Sequence, residues 1–399
     1  VSDVTDETNT PVHCLHGQSK RPECILCGRC LPVCPLFAAT GREEFSPRAK
    51  FFLARAVAEG RADLTARAAE ILATVCLSCG KCESACPLGL CGPDLVAELR
   101  AAHPGFAGFL WKLWIERAGI MWPLARSLAK LLPGNVPIDA VSRAKDALDA
   151  LGCGRAPEPW LFPETFDQRN AGRKAVLFAG CVAEHANPRW KENAKRLLAG
   201  LGLEVLPDPG FTCCGCTLGH AGAPDAQAAM QQQNIEAWRR AGRPMMVVFC
   251  ATCRCGLRAY ARKDLGLTMS ELGPWRENLV SLSELLGDTR FRVGEAAPAA
   301  VRYHRPCHGA GGNQDLGMLR QIMGERLIFR EEETPCCGFG GLTKLTSPEL
   351  SEVVASRALA IYAPAPGDQI VSGCSGCVTQ LRAAAPKDVA VGHWLEIMG

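Results

Sequence analysis

The chain has 399 residues, 48% of them apolar and 21% charged, with 44 Lys and Arg against 41 Asp and Glu for a net charge of +3. That length accommodates two or three domains with their own cores. The composition excludes disorder and collagen-like or coiled-coil character, and the near balance of charge excludes nucleic-acid recognition through a basic surface. The departure from ordinary usage is cysteine, with 23 residues.

The first ten residues carry Asp3, Asp6 and Glu7 and no basic stretch leading into an apolar one, so they do not read as a secretory signal. No run of eighteen or more uncharged apolar residues occurs in the sequence, so no membrane-spanning helix is expected in it. Thiols at this density in a reducing compartment are expected to bind metal or carry redox chemistry rather than form disulfides. Residues 1 to 20 read as a polar tail, with His13, near Cys14, incidental.

Residues 21 to 100 hold the strongest signal. The pattern C-x2-C-x2-C-x3-C-P occurs as Cys24, Cys27, Cys30, Cys34-Pro35 and again as Cys76, Cys79, Cys82, Cys86-Pro87. This is the bacterial ferredoxin run for [4Fe–4S] clusters, in which three closely spaced thiolates hold one cluster and the fourth reaches the other. Cys24, Cys27, Cys30 and Cys86 are therefore expected to hold one cubane cluster, and Cys76, Cys79, Cys82 and Cys34 the second. Cys-x-x-Cys pairs also bind zinc; the two complete runs with their prolines favour iron–sulfur. The stretch from Pro47 to Gly60 between the runs is helical in pattern, making this an all-helical two-cluster module.

Residues 101 to 172 read as an amphipathic helical segment followed by a Pro-rich linker. Phe106, Phe109, Leu110, Leu113 and Trp114 fall at i, i+3, i+4, i+7 and i+8, predicting a core-facing helical stripe that Pro123 kinks or ends. Trp111, Trp114 and Trp122 lie close to Lys112, Arg117 and Arg126, the pattern of a docking surface for a membrane or partner. Pro157, Pro159 and Pro163 mark the linker from 152 to 172.

Beyond it the sequence repeats. Cys181, Cys213-Cys214-Gly215 and Cys250-x-x-Cys253 return as Cys307, Cys336-Cys337-Gly338 and Cys374-x-x-Cys377, at offsets of 126, 123 and 124 residues. Three landmarks at nearly one offset imply a duplicated domain, with copies at 173 to 290 and 291 to 399. KAVLFAG, MMVVF, AVRYHRP and QIVSG precede the key cysteines as strands. ENAKRLLAGLG and PELSEVVASRALAIYA lie between them as helices. The fold class is thus α plus α/β: a helical two-cluster ferredoxin module, a helical linker and two Rossmann-like α/β cysteine-rich domains. The cysteines fall beyond the carboxyl ends of the strands, where open parallel sheets gather ligands. Five thiols per copy exceed what one tetrahedral ion or one cubane needs, and glycine after a cysteine pair suits a tight turn.

The pattern C-x31-C-C-G-x34-C-x2-C, followed by C-x28-C-C-G-x35-C-x2-C, resembles the Cys-Cys-Gly domain of heterodisulfide reductases. The whole arrangement, over residues 21 to 399, is similar to the heterodisulfide reductase component that joins a two-cluster ferredoxin module to two such domains. It is similar as well to iron–sulfur subunits of glycolate oxidase and anaerobic glycerol-3-phosphate dehydrogenase. The resemblance implies one or two non-cubane [4Fe–4S] clusters, held by Cys181, Cys213, Cys214, Cys250 and Cys253 and by Cys307, Cys336, Cys337, Cys374 and Cys377.

It further implies an oxidoreductase subunit, cytoplasmic and peripheral on the inner face of the membrane. There it would pass electrons between an integral cytochrome b or quinone-reactive subunit and the non-cubane clusters, with a thiol–disulfide couple as substrate. The alternative is an electron relay beside a flavoprotein dehydrogenase for glycolate, lactate or glycerol 3-phosphate. Two intact pentads tilt toward the reductase-like branch, although they suit plain relay too. Cys14, Cys91, Cys153, Cys216 and Cys255 are left over and read as small buried apolar groups, with Cys216 and Cys255 also able to support the first pentad. His304 and His308 flank Cys307, where a histidine can hydrogen-bond a cluster sulfide or shuttle a proton, but they read first as satisfied core histidines, with no catalytic role assigned. No dinucleotide, Walker, haem-attachment or hydrolase motif occurs in a supporting context.

Overall fold

The computed structural model describes residues 22–61, 75–131, 155–309 and 314–399; Cys14, His13 and Cys153 lie outside them. Among its described residues the N-terminal unit has no strand, and turns and irregular chain link its helices Pro35–Thr40, Pro47–Ala58, Lys81–Ala85 and Gly92–Ala102. Pro47 opens its helix at the first position, where its missing N–H is not needed. The buried Ser46 caps it by accepting from Ala49 N at 3.2 Å.

Two further helices, Phe106–Glu116 and Ala118–Leu131, depart from the sequence expectation. Of the predicted core stripe, Phe106, Phe109 and Leu110 are 75%, 60% and 38% exposed, while Leu113 and Trp114 are partly buried. Trp122 and Ile115 are buried instead, and Trp111 and Trp114 pack on the core. The helix is apolar on more than one face, so periodicity did not select the buried one, and the face with tryptophans found flat partners. Trp111 meets Phe339 edge to face at 6.5 Å, and Trp114 stacks on Trp122 at 5.7 Å. The tryptophans are therefore packing anchors, Trp122 buried and Trp111 and Trp114 partly so, and the most exposed apolar residues of this segment are others. The break between helices falls at Arg117 (φ −108°, ψ 24°), while Pro123 sits inside the second helix.

Each repeat builds a four-stranded parallel sheet of one topology. In the first, Lys174–Phe178 (β2), Glu204–Val205 (β3), Met245–Val248 (β4) and Leu279–Ser281 (β5) run in the order β3-β2-β4-β5. In the second, Val301–Tyr303 (β7), Leu327–Ile328 (β8), Gln369–Ser372 (β9) and Ala390–His393 (β10) run β8-β7-β9-β10. Every residue of β4 and β9 is buried, as expected of parallel strands covered on both faces.

The remaining strands correct the linker. Leu161–Thr165 (β1), expected as irregular chain, pairs antiparallel with Arg290–Val293 (β6), and Trp160 is buried with its Nε1 donating to Gln369 Oε1 at 2.9 Å. The prolines around it are compatible with a two-stranded edge, where a missing N–H breaks no central ladder. One apolar core runs through both repeats, from Val176 and Val247 to Tyr303, Val371 and Trp394.

Candidate metal centres

The two ferredoxin runs fold as copies of one turn. Leu26 and Ser78 sit at φ 56° and 50°, and Gly28 and Gly80 at 77° and 67°. The same bonds follow, Leu31 N to Gly28 O and Glu83 N to Gly80 O, both at 2.9 Å. Left-handed dihedrals are costly for Leu and Ser. Their repetition shows that the turn, rather than either local sequence, is what the site requires.

Cys24, Cys27, Cys30 and Cys86 line one cavity, with Cys82 at its inner wall. Cys27 is exposed, and Ile25, Leu26 and Leu88 around it are 64%, 46% and 36% exposed, so this site reaches the surface. The Cys30 thiol is pushed up by burial and by Cys24 and Cys27 nearby.

Behind it, Cys34, Cys76, Cys79 and Cys82 form a second group. Burial, with Cys76 and Cys34 close by, pushes the Cys79 thiol up to about 12, and the same causes raise Cys82 well above its usual range. Lys50 supplies an independent indication of what belongs there. It is 2% exposed, faces Cys34 and Cys76, and its Nζ has no hydrogen-bond acceptor among the described residues. A buried ammonium without a partner is expensive. A thiolate-ligated cluster of net negative charge is the counter-ion that fits.

The first pentad comes together at the carboxyl ends of β2 and β4 and in the loop after β3. Cys213 Sγ lies 3.9 Å from Cys181 Sγ, Cys214 adjoins Cys213 and Cys253, and Cys253 adjoins Cys250. Contact with Cys181 and Cys214 holds the Cys213 thiol low, while contact with Cys213 together with burial raises Cys181 and Cys214. A Cβ on Gly180 would lie 2.8 Å from Cys253 Sγ, so the cradle admits glycine only. Gly215 and Gly338 both take left-handed dihedrals after their cysteine pairs, at φ 75° and 84°.

The second pentad is arranged likewise. Cys336 adjoins Cys337, Cys337 adjoins Cys377, and Cys377 adjoins Cys374, while Cys307, Cys336, Cys337 and Cys377 line a cavity of about 170 Å³. His304 is not merely a packed core residue. It is 1% exposed, its Nδ1 meets Tyr362 OH at 2.7 Å, and it hydrogen-bonds Cys337, whose thiol is held low by Cys336 and Cys377 first and by His304 after them. The first repeat has Phe178 three residues before its cysteine, where the second has His304. Position before Cys307 was the only signal in the sequence, and it does not distinguish contact from proximity.

These groups are contiguous. Cys79 shares an apolar cluster with Cys336, and Cys307 feels both Cys79 and Lys81, whose Nζ donates to Thr334 O at 2.6 Å. Across the repeats, Cys250 contacts Cys374 and lies 3.3 Å from Ser375 Oγ, and Ala251 N donates to Gly373 O at 2.8 Å. The order inward is the surface group, the inner ferredoxin group, the second pentad and the first. Of the leftover cysteines, Cys91 is 3% exposed and burial raises its thiol, as for an inert packed group. Cys255 is half-buried on Ala251–Tyr260.

A 4Fe-4S dicluster domain model matches residues 22–90, and a cysteine-rich domain model matches residues 175–258 and again 301–382. The chain is 26% identical over 419 residues to the glycolate oxidase iron-sulfur subunit of Escherichia coli (strain K12), covering 99% of this chain and 97% of that one. It is 23% identical to a probable glycolate oxidase iron-sulfur subunit of Bacillus subtilis (strain 168), covering 92% and 89%. It is also 23% identical to a subunit of the dihydromethanophenazine:CoB--CoM heterodisulfide reductase of Methanosarcina barkeri, covering 94% and 92%. The chain is accordingly an iron–sulfur protein with two [4Fe–4S] clusters in its dicluster domain and two cysteine-rich domains suited to further clusters, related to subunits of oxidoreductases.

Proposed function

We propose that this iron–sulfur chain is the electron-carrying subunit of a membrane-associated oxidoreductase complex, with thiol–disulfide chemistry at one of its cysteine pentads. The observation that carries the reading is the unbroken series of thiol groups from exposed Cys27, through Cys79 and Cys336, to Cys374 and Cys250. In this assignment Cys24, Cys27, Cys30 and Cys86 hold the outer cubane, and Cys76, Cys79, Cys82 and Cys34 the inner one. The two pentads hold non-cubane clusters at the carboxyl ends of Rossmann-like sheets. Bound there, the clusters supply one-electron reduction and oxidation at potentials set by their surroundings.

The chain's own residues determine those surroundings. Lys50 places positive charge beside the inner group, and His304 gives the second pentad a hydrogen-bond donor that Phe178 denies the first. Exposed Phe106, Phe109 and Leu110, with Ile120 and Leu124 on the next helix, offer an apolar face to a membrane-anchored cytochrome b or quinone-reactive partner. No described helix is long and apolar enough to cross a membrane itself. The full-length similarity to glycolate oxidase subunits favours a second reading, in which a flavoprotein dehydrogenase is the partner and the pentads relay electrons only.

Anaerobic affinity purification from native membranes separates the two. Haem b bands with an integral membrane chain are expected, together with an S=½ signal elicited by thiols in the oxidised protein. A flavin spectrum with a hydroxyacid dehydrogenase, and no response to any thiol, would move the assignment to the second reading. A colourless, iron-free protein would overturn both.

A further inference from the structure

Cys216 lies outside the first pentad, and neither His220 nor His308 belongs to a cluster ligand set, yet the fold brings all three together. Cys216 and His220 begin and end the short helix Cys216–His220, so their i, i+4 spacing puts them on one face. His308 arrives from the other repeat, directly after Cys307. One ligand atom from each of the three lies within 4.8 Å of the other two, and the rings of His220 and His308 stack at 5.8 Å. Cys216 and His220 are 1% and 6% exposed.

The surroundings are those of a built site. His308 Nδ1 meets Thr252 Oγ1 at 3.0 Å, which leaves Nε2 as its ligating atom and fixes the ring by the kind of outer contact that metal-bound histidines carry. The helix itself is anchored from the dicluster domain, where Arg100 Nη1 donates to His220 O at 2.5 Å. One thiolate and two imidazoles make a mixed sulfur and nitrogen set, suited to a borderline-soft divalent ion.

We propose that Cys216, His220 and His308 form a site for one Zn²⁺ ion that ties the two cysteine-rich domains together, with a fourth position for water or a small ligand. The site is separate from the iron clusters in composition and in its ligands, and it stands whichever redox partner the chain has.

The test uses the full-length protein purified anaerobically from zinc-supplemented cultures, with iron and zinc measured per chain. One zinc ion is expected beside a full complement of iron. Zinc K-edge absorption should show one sulfur at about 2.3 Å and two nitrogens at about 2.0 Å. Cys216→Ser and His308→Gln should each lower zinc by about tenfold or more with iron unchanged, while Cys91→Ser leaves both metals in place. Wild-type protein with full iron and less than about one tenth of a zinc ion per chain would overturn the proposal. So would zinc that persists in both ligand variants, or an absorption spectrum without the sulfur shell, which needs no variant to fold.

Discussion

Lys50 is buried against Cys34 with its ammonium meeting no acceptor among the described residues, and burial lowers its pKa while Cys76 and Cys34 raise it. A positive charge there stabilises the more negative, reduced form of a cluster held by Cys34, Cys76, Cys79 and Cys82. Lys50→Gln should therefore lower that cluster's midpoint potential, by on the order of 50 mV, or about tenfold in the equilibrium constant for a one-electron couple. Redox titration followed by electron paramagnetic resonance checks this. An unshifted inner cluster, or an equal shift in the outer one, would show that Lys50 does not face the cluster.

The crossed ligand assignment makes a different demand. Cys86 lies ten residues beyond Cys76 in sequence, yet it lines the cavity with Cys24, Cys27 and Cys30. Cys86→Ser should remove or alter the outer cubane signal and spare the inner one, and Cys34→Ser should do the reverse. Loss of the inner signal in Cys86→Ser would mean that each run keeps its own cluster.

How much of this was legible beforehand depends on the distance over which the signal acts. The cysteine spacings, the helix at Pro47–Ala58 and the strand before each pentad were readable because turn chemistry and period are local properties. The helix at Phe106–Glu116 misled because apolar residues lie on several of its faces, and only the partners Phe339 and Trp122 decide which face is inside. Trp160 and β1 looked like linker because their partners, Gln369 and β6, lie more than a hundred residues away. His220 and His308 meet only once the two repeats have packed, and no spacing within either repeat announces it.

The apolar face left outside by that packing is open to a direct trial. Phe109 and Ile120 are 60% and 68% exposed. Replacing both by Ser should leave iron content unchanged and stability within about 0.5 kcal/mol per site, as for surface positions generally. Co-sedimentation with native membranes should weaken. Membrane association equal to wild type would remove this face from the partner interface.

The Cys-Cys-Gly turn allows a contrast between two glycines of nearly equal dihedral. Gly338 has φ 84°, and a Cβ on it would run into the Ser351 carbonyl, whereas Gly367 has φ 86° and nothing within 4 Å. Gly367→Ala should cost about 1–2 kcal/mol, the penalty of the left-handed region alone. Gly338→Ala adds a collision with backbone beside Cys336 and Cys337, so it should lose the second pentad's iron and retain that of the dicluster domain. Iron analysis with electron paramagnetic resonance distinguishes the two, and equal iron in both variants would show that the turn is not what shapes the site.

Away from the clusters, Glu271 sets an acid limit on the first cysteine-rich domain. It is 4% exposed and accepts from Arg239 Nε at 2.9 Å and Nη2 at 2.6 Å, from Arg243 Nη2 at 2.8 Å, and from Thr268 N at 3.0 Å in a capping box. The Arg239 guanidinium, above all, holds its carboxyl well below the usual range. A depressed folded pKa contributes stability that is complete above the unfolded value of about 4.3 and is lost as pH falls through the folded one. Glu271→Gln leaves two guanidiniums facing a neutral group, and should cost about 3 kcal/mol at neutral pH. The gap between wild type and variant should hold from pH 7 to about 5 and narrow only below about pH 4, because the variant has no proton to take up there. Denaturant unfolding of both proteins across that range is the check. A gap that instead widens with acid would mean that Glu271 is not the ionised partner of Arg239.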